Sequence, residues 1–491
     1  MGRVSRRACF VAAFVLPIGS AAVAQDFVVD YQIDAADVEI GDGLCRDHRG
    51  YCTLRAAVQE ANAQPGQQTI ALGTSLHYLV LDGDGEDAAA TGDLDVTDDV
   101  IIEGVDADTT IVEAQAYDRV FDVAENVSLT LSDVTVRGGR RGSVVDSDVG
   151  GGLRAADGAF VVLSRAIFED NAVLLGGGGI GLLGGTSSGA TLLAAGSTFR
   201  RNGAGVRPSV PGSGGAIHAT GHSSIQLLDC SLEDNVADLG AAIDSAFGAA
   251  TIERSTIVGH QSGNDTLRFR NAEPVRIENS SIVDNASDLT IWSAAGSATT
   301  TFQNTTITGN TARIAIVNFY PSFADVRLRN SVLFNSVTEA ECMAVESLGH
   351  NAIAAGSPGF CTAWGATDLI VADPLLGVLR DNGGSTRTRM PLAGSPLRDA
   401  GDDANCPALD QRRAARPQDG DGNGVAHCDI GAVEAPEPGW LGTAAAIAAL
   451  ALRARSQRRE ALLRDAATAA SPPPRSSSVV GSGAPTKISV E

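Results

Sequence analysis

Cys230-Ser231-Leu232-Glu233-Asp234-Asn235, Ser255-Thr256-Ile257-Val258-Gly259-His260, Ser280-Ser281-Ile282-Val283-Asp284-Asn285 and Thr305-Thr306-Ile307-Thr308-Gly309-Asn310 are versions of a single phrase. It opens on a small residue, places an aliphatic third and closes on Asn or, once, His260. Asn330 to Asn335 continues it, so that Asn235, His260, Asn285, Asn310 and Asn335 follow one another at a constant interval. Upstream, Ala166 to Asn171 and Ser197 to Asn202 carry the same phrase at somewhat longer intervals. A second mark falls between, a glycine-rich corner followed by an aliphatic: Gly150 to Leu153, Gly176 to Ile180, Gly214 to Ile217, Gly240 to Ile243. A period of about 25 residues makes three short strands and their turns, one coil of a solenoid. A lone coil cannot bury its inward face, whereas stacked coils pair every strand with those above and below.

The expectation is therefore an all-β chain, a right-handed parallel β-helix with repeats over 101–375. Its aliphatic column faces inward, and the Asn column sits in left-handed turns and bonds along the stack as a ladder. A leucine-rich repeat would need a Leu-x-x-Leu-x-Leu frame, which is absent. A propeller would need recurrent tryptophans, and the chain has only Trp292, Trp364 and Trp440. Composition agrees: glycine is 56 of 491 residues and aromatics only 4%, which suits thin stacked strands better than a globular core.

A solenoid needs covered ends. Leu54, Ala57, Val58 and Ala61 lie at i, i+3, i+4 and i+7 after Thr53, which predicts a capping helix over 53–63 with Thr53 as N-cap. Gln68 to Leu72 reads as the first strand, and 25–100 as the N-terminal cap with the first coils. Ahead of it, Arg3, Arg6 and Arg7 precede an apolar run from Ala8 to Val23, the pattern of a secretory signal over 1–24. Without those three arginines and the tail after Glu434 (seven basic, four acidic), 26 basic residues face 55 acidic ones. Nucleic acid is a poor partner for such a body; membrane contact is expected to be transient and through the termini only. Cys45 with Cys52, Cys342 with Cys361 and Cys406 with Cys428 are close pairs read as disulfides of an oxidising compartment, while Cys230 lies within a repeat as a buried small residue.

Three stretches are recognisable. Cys52-Thr53-Leu54-Arg55-Ala56-Ala57, Gln59-Glu60-Ala61-Asn62-Ala63 and Gly92-Asp93-Leu94-Asp95-Val96 resemble the CSLREA-type N-terminal region of secreted bacterial β-helix proteins, although Ala56 replaces the motif's glutamate. Asp381-Asn382-Gly383-Gly384, Asp410-Gln411-Arg412, Arg416-Pro417 and Cys428 to Glu434 resemble the choice-of-anchor Q domain, which makes 376–434 a disulfide-closed C-terminal cap. Pro436-Glu437-Pro438, the apolar run Gly439 to Leu452 and the arginines to Arg459 are similar to a PEP-CTERM sorting signal over 435–459, followed by a disordered tail over 460–491. The resemblances imply a protein exported from a Gram-negative-type bacterium, secreted or held at the cell surface, with exosortase-like sorting machinery as a partner of the tail.

Candidate chemistry is sparse. The resemblance to pectin-lyase-like β-helices brings polysaccharide lyases and glycoside hydrolases into view, but fold alone does not establish an activity. The body has no lysine, the only one being Lys487, and shows no paired-aspartate, Gly-His-Gly and Arg-x-Lys set, so no catalytic residue is assigned. Asp170, Asp234 and Asp284 read as turn residues, and His260 as an occupant of an Asn slot. Asp419-Gly420-Asp421-Gly422-Asn423-Gly424 spaces oxygens like the first half of an EF-hand loop; Ile430 at the twelfth position excludes a full EF-hand. The expected ligands of a looser calcium site are Asp419, Asp421, Asn423 and Asp429, with Asp82 to Asp87 as a second candidate; no cofactor is otherwise required. The sequence thus points to a non-catalytic surface or matrix protein that binds or organises polysaccharide or mediates adhesion, with polysaccharide cleavage as the alternative.

Overall fold

The computed structural model describes residues 27–437, apart from 84, 116–117, 142–148, 206–210, 271–272, 295–297, 320, 322–324, 357–360 and 362–363. The expected signal over 1–24, the apolar run of the sorting segment and the tail lie outside the described residues, whose compact unit ends at Ala435.

Stacking rather than local propensity makes this fold. Strands of mostly three to five residues pair in parallel with the equivalent strand one coil away, giving three long sheets. The first holds twelve strands, from Phe27–Val29 through Ser224–Leu228 to Glu346–Ser347. The second runs from Leu76–Leu79 through Ile167–Glu169, Ser231–Glu233 and Ser281–Val283 to Leu369–Val371. The third runs from Leu94–Val96 through Phe121–Val123, Ile217–Ala219 and Ile243–Ala246 to Leu289–Ser293. Beyond it, the 13-residue strand Thr306–Asn318 and the 12-residue Val332–Met343 run through both the second and third sheets. This is a parallel β-helix, and the crossover rule for parallel strands gives it the right hand. Among the described residues the first strand is Phe27–Val29, one rung before the Gln68–Leu72 strand to which it pairs.

Each sheet contributes an inward column. In the second it is Phe168, Phe199, Leu232, Ile257, Ile282, Ile307 and Leu333, all fully buried, and each burial is worth about 1.5–3 kcal/mol. The small-residue corner is a steric demand: a Cβ on Gly178 would lie 2.5 Å from the backbone of both Gly203 and Gly215.

The ladder forms with one change. Asn171 donates to Asn202 (3.0 Å), Asn202 to Asn235 (3.0 Å), Asn285 to Asn310 (2.9 Å) and Asn310 to Asn335 (2.8 Å). Asn335 closes on Glu341 at 2.7 Å. From Asn171 to Asn310 the left-handed residue is the one before the Asn, not the Asn itself: Asp170 (φ 56°), Arg201 (φ 54°), Asp234 (φ 53°), Asp284 (φ 55°) and Gly309 (φ 72°). That leaves the Asn side chain free to turn inward and serve the buried backbone.

Helix Leu54–Ala63 covers the first coils, with Thr53 Oγ1 accepting from the Ala56 amide. Arg55 is fully buried and ties the helix down, donating to Asp34 and to the carbonyls of Ala89, Gly92 and Asp93. The three disulfides pair as expected, and Cys230 is buried and free. The C-terminal segment does more than close the last coil: it runs back along the outer face of the second sheet. Gln411 bonds Ser281 and Thr256, Arg389 bonds Asp284, and Ala432 donates to Thr306.

Candidate functional site

The outer face of the third sheet is built by the corner mark. After the glycines comes an inward aliphatic, then a residue that must point outward, because side chains alternate along a strand. Strand register aligns these outward residues as Asp95, Asp122, Arg154, Gly181, His218, Asp244, Arg268 and Trp292. Successive members stand one rung apart, about 4.8 Å.

In the middle of the column, His218 Nδ1 lies 3.3 Å from Asp244 Oδ2, and the Arg270 guanidinium bonds both Asp244 oxygens at 2.9 Å. Burial opposes the charge on Asp244, but the His218 ring and Arg270 outweigh it and hold the carboxyl below its usual range. His218 keeps 13% of its side chain exposed, whereas Asp244 keeps none. The ring needs the glycine beneath it, since a Cβ on Gly176 would sit 2.6 Å from it. Farther along, Arg268 is fixed to Asp265 (2.7 Å) and lies over the Trp292 ring, 4.1 Å from its centroid. The exposed ring of Phe319 stands 5.7 Å from Trp292. A histidine beside a buried carboxylate can accept a proton, and a cation on an aromatic plate can grip a planar or polyhydroxylated ligand.

At the N-terminal end of the column, Asp93, Asp95 and Asp122 bring carboxylate oxygens within 4.8 Å of one another. Arg154 holds both oxygens of Asp122 (2.6 and 2.8 Å), and Arg119 bonds the same carboxylate. Asp95 accepts from the Ala89 amide at 2.7 Å. Burial, with the neighbouring Asp118, pushes Asp93 up to about 8; burial pushes Asp95 to about 7, against the Ala89 amide. Glu86 and Asp87, from the Asp82–Asp87 stretch, line the same small pocket.

The expected calcium residues are only partly together. Asp419 and Asp421 converge, and the third carboxylate beside them is Asp399. Asn423 stays in the loop, its amide nitrogen on Asp421 and its oxygen accepting from Val425. Asp429 lies buried beside Asp399 but outside the trio, its two oxygens taken by the amides of Asp399 and Ala435. His260 fills the Asn slot: Nδ1 accepts from the Asn235 amide and Nε2 faces the Leu232 carbonyl at 3.1 Å. Burial lowers its pKa to about 4, so it is a neutral ladder member.

No family model and no curated protein matches the chain. Among solved structures, the crystal structure of pectate lyase Pel9A aligns over 84% of this chain and 98% of its own, with a TM-score of 0.49 and 15% identity. The β-helix assignment rests on the strand register.

Proposed function

We propose that the protein is an exported, surface-displayed β-helix that binds an extended polysaccharide along the outer face of its third sheet. The observation carrying this is the Arg268, Trp292 and Phe319 cluster at the end of the outward column. An aromatic plate takes the apolar face of a sugar ring, and the guanidinium and carboxylates beside it take hydroxyl or carboxylate groups. Rungs about 4.8 Å apart suit a chain that repeats along the solenoid. Three disulfides support export, and the terminal signals read in the sequence supply delivery and retention by sorting machinery. Calcium at Asp419 and Asp421, joined by Asp399, belongs to this reading as a structural ion of the C-terminal segment. Affinity electrophoresis of the purified chain through neutral and acidic polysaccharides tests the proposal. Retardation by at least one glycan, reduced tenfold or more in Trp292→Ala, is expected; uniform mobility in all of them sinks it.

The arrangement of His218, Asp244 and Arg270 favours a second reading, a polysaccharide lyase or hydrolase acting on acidic chains. Product release from such polymers in the presence of calcium, lost in His218→Gln while binding persists, would replace the first reading with the second.

A further inference from the structure

The outer face of the first sheet has no part in the proposed glycan site, and its chemistry differs from that of the other two. Four successive coils contribute the strands Ser128–Ser132, Phe160–Ser164, Thr191–Ala195 and Ser224–Leu228, paired without a register shift. Alternate residues are buried inward, which turns the rest outward. The outward side chains are serine, threonine, valine, leucine, alanine, glutamine and phenylalanine, with no charge among them. The chain as a whole is 19% charged, and over the same coils the second sheet points Arg137, Glu169, Arg200 and Glu233 outward. The uncharged residues stay partly exposed, Phe160 at 40%. Their middle column runs farther, from Ile101 through Thr130, Val162, Leu193 and Gln226 to Thr251, with Glu103 and Glu253 beside its two ends. Ion pairs stand at the corner beyond it, Arg165 with Asp133 (2.6 Å) and Arg254 with Asp229 (3.2 Å).

We infer that this face pairs with the same face of a second copy of the chain, in a weak, reversible, two-fold dimer. Charge chooses the occupant. The face offers no cation to an acidic partner and no carboxylate to a basic one, while two copies of a chain with formal charge -23 repel least where they carry no charge. Shape agrees: a flat pleat of short and β-branched side chains packs on another flat pleat at about 10 Å, as in a β-sandwich. The pattern is also self-complementary, as a two-fold interface requires. An axis along the strands, midway between the rungs of Val162 and Leu193, sets Val162 on the second copy's Leu193, Phe160 on its Thr191 and Thr130 on its Gln226. Apolar contacts then lie at the centre, polar groups around them and the charged corners at the rim. Six rungs of about 4.8 Å by five residues of about 3.3 Å give roughly 500 Å² on each copy. The pair comes to about 1,000 Å², the lower limit of a specific interface, which makes the dimer weak.

The test is sedimentation velocity on the purified full chain across a concentration series, in low and in high sodium chloride. Monomer should give way to dimer as concentration rises, and more readily in high salt, because salt screens the repulsion between two acidic bodies. Leu193→Glu and Val162→Lys each set a charge against an apolar side chain of the other copy. Each should raise the dissociation constant tenfold or more, with thermal melts confirming that both variants remain folded. The two substitutions together oppose unlike charges across the axis and should recover most of the loss. Val236→Glu, an equal change of charge on an exposed residue of another face, should leave the dimer as it was. A chain that stays monomeric at high concentration in high salt, or a dimer indifferent to Leu193→Glu, would overturn the pairing. So would a monomeric parent whose retardation by a neutral polysaccharide is lost in Leu193→Glu, since the face would then belong to that glycan.

Discussion

The outer faces of the second and third sheets come from the same repeats but meet different fates. On the second sheet, upstream coils present an alternating charged column, Glu113, Arg137, Glu169, Arg200 and Glu233, linked by ion pairs such as Arg137 to Glu113 and Arg200 to Glu169. Downstream the same positions become Val258, Val283 and Thr308, all buried, and the C-terminal segment lies over this face. The outward hydroxyls of Thr256, Ser281 and Thr306, which occupy the same slot of three successive coils, are its docking points. On the third sheet no such exchange occurs among the described residues, and His218, Arg268 and Trp292 stay partly exposed. The chain supplies its own partner for one face; on the proposed function, the other takes a partner from outside.

The sharpest way to break the comparison is to free the covering segment. Arg416 and Glu434 form a fully buried pair at 2.7 Å, and Arg416 also holds the carbonyls of Asp429 and Gly431. Arg416→Met strands Glu434 without its counter-ion, and a loss of about 3–5 kcal/mol is expected. Urea unfolding measures the loss, and limited proteolysis should cut within 376–434 before the coils. If the coils are cut first, the segment is not a separable cover. Gln411→Ala is the next largest. Gln411 is 1% exposed and bonds Ser281, the Ser255 carbonyl, Thr256 and Thr386, so its removal leaves several buried groups unmatched and should cost about 1–3 kcal/mol.

The ladder beneath both faces provides a pH-dependent effect. His260 has a folded pKa of about 4 through burial, with the Asn235 amide, the Leu232 carbonyl and the charge of Glu233 as its polar surroundings. In the unfolded chain the imidazole titrates at about 6.5. The unfolded state therefore binds the extra proton first as pH falls. The neutral histidine's full contribution is present above about pH 6.5 and is lost progressively down to about pH 4, a total of about 3 kcal/mol. His260→Asn, which restores the repeat's usual residue, should flatten the stability profile in that window. An unchanged slope would mean that other groups control it.

How much of this was legible in the sequence follows the same division. The period, the inward aliphatics and the ladder are written as repeated residue types, because stacking places the same demand on each coil, and the Thr53 cap as a local helical pattern. The outward column carries no such signature because its members differ: Arg154, Gly181, His218 and Asp244 share a position, not a chemistry. Position alone would have found them, as the residue after each corner aliphatic. Asp399, which joins Asp419 and Asp421, lies well upstream of both, and no local loop pattern could include it. The path of the C-terminal segment had a faint signal, the change from Glu233 to Val258 and Val283 at one outward slot.

The smallest expected effect separates the two faces most cleanly. If the third sheet's outer face serves an outside ligand, its exposed residues contribute little to folding. Trp292 packs against Arg268 and Phe319 outside the inward column, and a partly exposed cation over a ring is worth about 0.5–1 kcal/mol. Trp292→Ala should therefore shift urea stability by no more than about 1 kcal/mol, below the change at Gln411, while abolishing most glycan retardation. The two measurements are made on one protein preparation and pull in opposite directions. A stability loss well above the worth of that cation–ring contact, with binding intact, would make the column a structural ladder like the Asn one. The open face would then lose its claim to be the site.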